Sequence, residues 1–378
     1  MKLALFSCHN DLNYGSMLQA YALVAALKKN GVDAEYLDYS TCPDPNTISR
    51  IVKRVIMAPV RFVRKVFKVQ KQSDGFEFFF TTEFKKTRRA YDSFHRKFIP
   101  VSQRRYYYDT ISRKLDVSAY DNYMVGSDQT WSPFLYRPRN PYFLDFCELP
   151  KKSSYAPSLG TISLPLSYIN LLVEKLHSFD FLSCRELSNC KRLSELMGRE
   201  VTYVLDPTLL LDPCEWDKIA NPSKIEGQYI LAYILGEKDT VINFAERLSE
   251  EKHLPVFFIV TRPKYLDMKY NLNGIGPEDW IGLIRNAKYV VTDSFHGSLF
   301  CINYNVNFYA FSKRDGDVNS QDNARILEFL SLLGLQSRFQ DDKDNPCLLE
   351  DIVFPPVNQL IEQLREKSMK YLFGCLFE

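Results

Sequence analysis

Asp293, Ser294 and His296 occupy a short polar turn. An apolar run, Tyr289 to Thr292, precedes it, and Gly297 and Ser298 open an apolar helical stretch after it. β-Branched and aromatic residues suit a buried strand, so the polar group falls where a strand hands over to a helix. Open α/β sheets bind ligands at that edge. A helix start also offers N–H groups and partial positive charge to phosphate or carboxylate. Of five histidines, His296 alone has this setting, and imidazole changes protonation near neutral pH. Two readings stand side by side. In one, His296 carries a proton or holds an anion, Asp293 orients it or serves as base, and Gly297 and Ser298 supply N–H donors. In the other, the turn is a capped helix start with Asp293 or Ser294 as N-cap.

Other strand ends repeat the pattern. The run Tyr120 to Val125 leads into Ser127, Asp128 and Gln129, and KSSYAPSLG presents Ser158. Phe179 to Ser183 delivers Cys184, Arg185 and Glu186, and Val201 to Leu205 ends in Asp206-Pro207-Thr208. A guanidinium pairs bidentately with carboxylate or phosphate, so Arg185 is either an anion ligand or the partner of Glu186. Arg325 lies in the first turn of an amphipathic segment, Gln321 to Gly334. The first loop, CHNDLNYGSMLQAYAL, offers Asn13 and Gln19 to a ligand or to capping and loop shaping. It is not a dinucleotide-binding G-x-G-x-x-G.

The elements that must position these groups are those of an α/β protein. Lys2 to Tyr39 reads as strand–helix–strand, with a helix over Ser16 to Asn30. Strands and helices alternate onward, and 378 residues favour two domains. The expected division is 1–215 and 216–378, with Asp212 to Pro222 as hinge and a last helix, Pro356 to Leu372, able to cross back. The composition, 46% hydrophobic and 25% charged, is that of an ordinary globular chain. No run reaches the ~18–20 apolar residues of a membrane span, and Leu3 to Phe6 is too short for a signal peptide. Nine scattered cysteines without C-x-x-C predict reduced thiols, a cytoplasmic setting, no disulfide framework and no zinc site.

One segment is strongly one-sided. At 100° per residue, Arg50, Lys53, Arg54, Arg61, Arg64, Lys65, Lys68 and Lys71 fall within an arc of about 120°. Arg50 to Arg105 holds 16 basic and 4 acidic residues, +12, against +2 for the chain. A basic helical insert over about 45–110 is expected. Its basic face could lie on an anionic membrane surface or be a solvated face of a hairpin packed on the protein. No nucleic-acid motif accompanies the charge.

Taken in order, NYGSMLQAYAL, YDNYMVGSDQTWSP, SYAPSLG, SCRE, VLDPTLLL and VTDSFHGSLFCINYNVNFYAF resemble the blocks of the polysaccharide pyruvyl transferase family. Together they run from about Leu3 to Phe339. The resemblance implies two Rossmann-like domains facing a cleft, as in the GT-B fold, with the acceptor on the first and the donor on the second. It implies phosphoenolpyruvate as co-substrate, with no cofactor or metal. The acceptor would be a sugar hydroxyl pair on a bacterial surface glycan or its lipid-linked precursor, which places the enzyme at the inner membrane face. Donor binding would fall to Arg185 and His296, with Arg325 as helper. Asn13, Gln19, Ser127, Asp128, Gln129 and Ser158 would line the cleft. Cys184 departs from the apolar residue expected before the arginine. A nucleotide-sugar glycosyltransferase would share the architecture, and a non-catalytic glycan-assembly component is the alternative outside enzymes. DSFHGS is not the G-x-S-x-G of a serine hydrolase.

Overall fold

The computed structural model describes residues 1–46, 82–133, 140–161, 164–313, 323–340 and 348–377. The basic segment Arg50 to Lys71 lies outside them. The first half is a five-stranded parallel sheet in the order β3-β2-β1-β4-β5. Its strands are β1 (Lys2–Phe6), β2 (Asp33–Ser40), β3 (Val101–Tyr107), β4 (Asn122–Val125) and β5 (Lys152–Ser154). Chain direction across the sheet reverses between β1 and β4, the Rossmann switch point. The range expected to be a helical insert contributes a helix, α2 (Thr82–Phe98), but also β3, which pairs with β2 from Tyr36/Val101 to Ser40/Tyr107. A short parallel pair, β6 (Ser183–Cys184) and β7 (Thr202–Tyr203), continues beside β5 through a bridge from Ser153 to Phe181.

The second half is a four-stranded parallel sheet in the order β11-β10-β8-β9. It comprises β8 (Ile230–Ile234), β9 (Val256–Val260), β10 (Tyr289–Thr292) and β11 (Asn307–Ala310). β8, ILAYI, is buried at every position, as a strand covered on both faces must be. The α/β class with two Rossmann-like units is therefore what the chain adopts.

Helices α1 (Tyr14–Lys29), α6 (Pro277–Asn286) and α7 (Phe295–Tyr304) build the contact between halves; α3 (Leu166–Leu176), α4 (Leu187–Met197) and α5 (Asp239–Lys252) flank the sheets. Tyr14 stacks on Trp280 at 5.2 Å, and Trp216 meets Phe300 at 4.8 Å. One core runs through both halves, from Leu3 to Leu376. α7 is buried around nearly its whole circumference, which explains its lack of amphipathic pattern. After α8 (Ala324–Leu332), the final helix α9 (Phe354–Phe377) returns to the first half. There Tyr371 donates to Ser154 O at 3.0 Å and Ser368 Oγ accepts from Leu205 N at 2.9 Å. Among the described residues no helix is long and apolar enough to cross a membrane.

Cys184 and Cys190 lie side by side, with Cα atoms 5.9 Å apart. The turn from β6 into α4 brings together residues whose sequence spacing matches no recognised motif.

Candidate active site

The strand ends converge. β4 supplies Ser127, Asp128 and Gln129, and β6 supplies Arg185 and Glu186. Asp206 follows β7, His296 opens α7 after β10, and Arg325 lies in the first turn of α8. Arg185 is the centre, its side chain 1% exposed. Its Nη1 donates to Asp206 Oδ2 at 2.6 Å and to Ser127 Oγ at 3.2 Å. Its Nη2 lies 3.5 Å from Asp128, and Nε 3.7 Å from Glu186. The local Arg185–Glu186 pair exists, but Asp206 is the closer partner. Three carboxylates, Asp206, Asp128 and Glu186, thus surround the guanidinium. Buried charge demands such compensation.

Asp206 uses its two oxygens differently. Oδ1 accepts from Thr208 N at 3.0 Å and Thr208 Oγ1 at 2.8 Å, capping the turn after β7. Oδ2 accepts from Arg185 and from Ser127 Oγ at 3.0 Å, and stands 3.5 Å from His296 Nε2. Burial raises the Asp206 pKa, but His296, Arg185 and the Thr208 N–H together hold it well below the usual carboxylate range. For Asp128, burial again opposes ionisation, and Arg185 and His296 overcome it. In Arg185, burial disfavours the charge, and Asp206 and Asp128 more than restore it.

His296 packs edge-on against Phe295. The Phe295 ring carries two guanidiniums, Arg185 at 4.9 Å and Arg325 at 5.8 Å, a favourable cation–π arrangement. Gln129, with its amide oxygen turned to Arg325, accepts from both Nη atoms at 2.8 and 3.0 Å. Asp128 has a left-handed backbone, φ 75°, a conformation Asp tolerates better than most residues. That bend lets its carbonyl accept from Ser158 N at 2.7 Å while its carboxylate accepts from Ser16 Oγ. Ser158 Oγ in turn donates to Glu186. Arg185 Nε, Arg185 Nη2 and His296 Nε2 are buried and have no hydrogen-bond acceptor.

Several expected residues do other work. Both Asp293 oxygens face the loop after β8, accepting from Leu235 N at 2.8 Å and Gly236 N at 2.6 Å. Asp293 therefore ties β10 to β8, and the carboxylate beside His296 is Asp206. The first turn of α7 is capped internally: Gly297 N donates to Ser294 Oγ at 3.2 Å and Ser298 N to Ser294 O at 3.1 Å. Those two N–H groups are committed to the helix. Gly297 instead permits close packing, since a Cβ there would lie 2.8 Å from Thr292 Oγ1. Asn13 is the N-cap of α1, accepting from Ser16 N at 3.2 Å. Gln19 is fully buried and donates to Ser7 Oγ, Cys8 O and Ser16 O, shaping the first loop from within.

Asp206 is named from sequence only as a polar strand end without a role, and Gly15 and Phe295 are not singled out. Asp206 also caps the turn after β7 through Thr208. Gly15 touches the site across the interface of the halves: a Cβ there would lie 2.0 Å from His296 Nδ1. Its signal was a glycine in a helix's first turn, where helix propensity gives no reason for one.

A search of curated protein sequences returns no match. Among solved structures, the chain is similar to UDP-GlcNAc 2-epimerase from Methanocaldococcus jannaschii (12% identity, TM-score 0.48, covering 100% of this chain and 93% of that one). It is also similar to the Neisseria meningitidis UDP-GlcNAc 2-epimerase bound to UDP-GlcNAc (10%, 0.45, 99% and 94%), and to E. coli heptosyltransferase WaaC with ADP (11%, 0.40, 96% and 100%). The family model for polysaccharide pyruvyl transferase matches residues 13–314. That span contains every strand from β2 to β11, together with Arg185, Asp206 and His296, and the chain belongs to the polysaccharide pyruvyl transferase family.

Proposed function

We propose that the protein transfers pyruvate from phosphoenolpyruvate to two hydroxyls of one sugar residue, forming a cyclic ketal and releasing phosphate. The reading is carried by the buried meeting of Arg185, Asp206 and His296 at the strand ends, with Arg185 Nη1 2.6 Å and His296 Nε2 3.5 Å from Asp206 Oδ2. A guanidinium suits an anionic donor's carboxylate or phosphate, and an imidazole beside it suits proton transfer to the donor's methylene carbon. The surrounding carboxylates hold the guanidinium and the imidazole in place.

In the reaction, the methylene carbon of phosphoenolpyruvate gains a proton and C2 becomes electrophilic. One sugar hydroxyl attacks C2, the C2–O bond to phosphate breaks, and the second hydroxyl closes the ring. Two hydroxyl protons leave; one balances the new methyl group and the other departs with phosphate. His296 carries the proton, and ionised Asp206, 3.5 Å from its Nε2, orients the ring. Positioned proton transfer of this kind contributes roughly 10²–10⁴-fold. Arg325, stacked on Phe295 and held by Gln129, steadies the donor's charge.

The test is thermal protection by phosphoenolpyruvate against a panel of nucleotide sugars, followed by mass spectrometry of lipid-linked sugars for a pyruvate ketal. Protection by a nucleotide sugar alone would overturn the reading. So would near-normal phosphate release by a folded His296→Gln protein.

A lipid-linked acceptor would bring the enzyme to an anionic membrane surface, and the sequence of Arg50 to Lys71 supports docking there. Vesicles containing anionic lipid should bind the protein in a salt-sensitive way. Unchanged binding after neutralising its eight basic residues would remove the membrane from the account.

A further inference from the structure

A cleft of about 410 Å³ opens at the C-terminal ends of β1 and β2, lined among others by Tyr39, Tyr142, His9, Asp11, Asn140 and Arg105. It belongs to the first half alone and holds none of Arg185, Asp206 and His296. Its floor nevertheless touches their cluster. Ser7 Oγ donates to Ser127 O at 2.7 Å, and Ser127 Oγ is the group shared by Arg185 and Asp206. Beside it, Cys8 Sγ and Tyr142 Oη lie 3.5 Å apart. Asp11 is close enough to Asp128 that, after burial, the Asp128 charge helps raise its pKa. The cleft is thus a side chamber one residue from the reacting groups.

Its chemistry selects the ligand. The volume is within the ~300–1,000 Å³ of small-molecule sites, which pair apolar walls with a few placed polar groups. Tyr39 and Tyr142 are aromatic rings with polar tips, and the polar lining beside them is neutral: Asn140, whose Oδ1 accepts from Tyr142 N, and Ser40, whose Oγ accepts from Cys42 N. The cleft's guanidinium, Arg105, already faces Asp38 at 3.6 Å, and Asp11 repels phosphate or carboxylate. An anion is therefore disfavoured, and a neutral ring rich in hydroxyls fits. We propose that this cleft binds a neutral hexose ring of the acceptor, with Tyr39 and Tyr142 as aromatic walls and the Asp11 carboxylate accepting hydrogen bonds from hydroxyls. Its role as acceptor chamber rests on the pyruvyl-transfer reading; its preference for sugar does not.

The experiment is saturation-transfer NMR with methyl hexopyranosides of gluco, galacto and manno configuration, their N-acetyl analogues, and glucose 6-phosphate. At least one neutral glycoside should receive saturation, and the phosphate ester should receive less. Tyr39→Ala and Asp11→Asn should each cut the signal at least about fivefold. If Tyr39→Ala does not fold, Asp11→Asn, on an exposed loop position, carries the test. No transfer to any glycoside overturns the proposal, as does undiminished transfer in folded variants. Thermal protection by phosphoenolpyruvate is measured on the same samples and should persist in Asp11→Asn. If it is absent from the wild type while sugar contacts remain, pyruvyl transfer falls and the sugar cleft stands.

Discussion

Gly15→Ala tests the site through a residue that has no side chain of its own. The added Cβ would sit 2.0 Å from His296 Nδ1, 2.4 Å from Cγ and 2.7 Å from Cε1. Restoring an ordinary contact of about 3.4 Å requires the imidazole to retreat by about 1.4 Å, because the α1 backbone is fixed by the shared core. His296 Nε2 begins 3.5 Å from Asp206, so a shift of that size changes the geometry of the pair. Misplacement of a reacting group by ~1 Å costs on the order of 10² in rate. Helix α1 itself should tolerate the change, since Ala exceeds Gly in helix propensity by up to ~1 kcal/mol. The expected result is a folded protein whose phosphate release falls about 100-fold and whose His296 ring resonances shift. A cycle with His296→Ala gives a readout independent of turnover: the stability cost of Gly15→Ala should shrink once the ring is gone, with coupling of roughly 0.5–3 kcal/mol. Unchanged turnover with unshifted His296 resonances would refute the reasoning.

Asp206→Asn keeps the shape but leaves Arg185 with one carboxylate fewer, and breaking a buried pair typically costs ~3–5 kcal/mol; urea unfolding measures it. The Asp206 pKa is lowered on folding, so its stabilisation is present above the usual 3.8 and is lost as pH falls below that value. The variant should show a shallower acid loss. His9 faces His95, with Nδ1 and Nε2 3.0 Å apart, and stacks on Tyr36. Burial and the His95 charge lower its pKa from 6.5 to about 3. The unfolded chain then binds the extra proton, so stability is full above 6.5 and declines as pH falls toward 3, by at most about 1.4 kcal/mol per pH unit. His9→Gln should flatten part of the slope as pH falls from 6.5 toward 3, and an identical slope in both proteins would exclude the pair as its source.

Much of this is legible in the amino-acid sequence. Runs such as ILAYI and YVVT are apolar because both faces of a parallel strand are covered, and that marks them in a linear string. Polar clusters behind such runs fall at one sheet edge by geometry alone, which is why Arg185 and His296 could be named. β3 was not legible, because VSQRRYY carries an edge strand's polar pattern inside a basic region. Asp293 was misread for a related reason. Adjacency in sequence suggested adjacency in function, yet the turn after β10 directs its carboxylate to the β8 loop and its histidine to the other side.

The sequence by itself determined the α/β class, the strand ends and the family, since each depends on local periodicity and ordered blocks. Only the tertiary structure decided which charges meet. Asp206 lies 90 positions before His296 and Gly15 lies further still, and they become neighbours only when two sheets pack through α1 and α7 around one core. Electrostatic compensation and steric fit act over a few ångströms of space, whatever the separation along the chain, and so they appear only once the chain has folded.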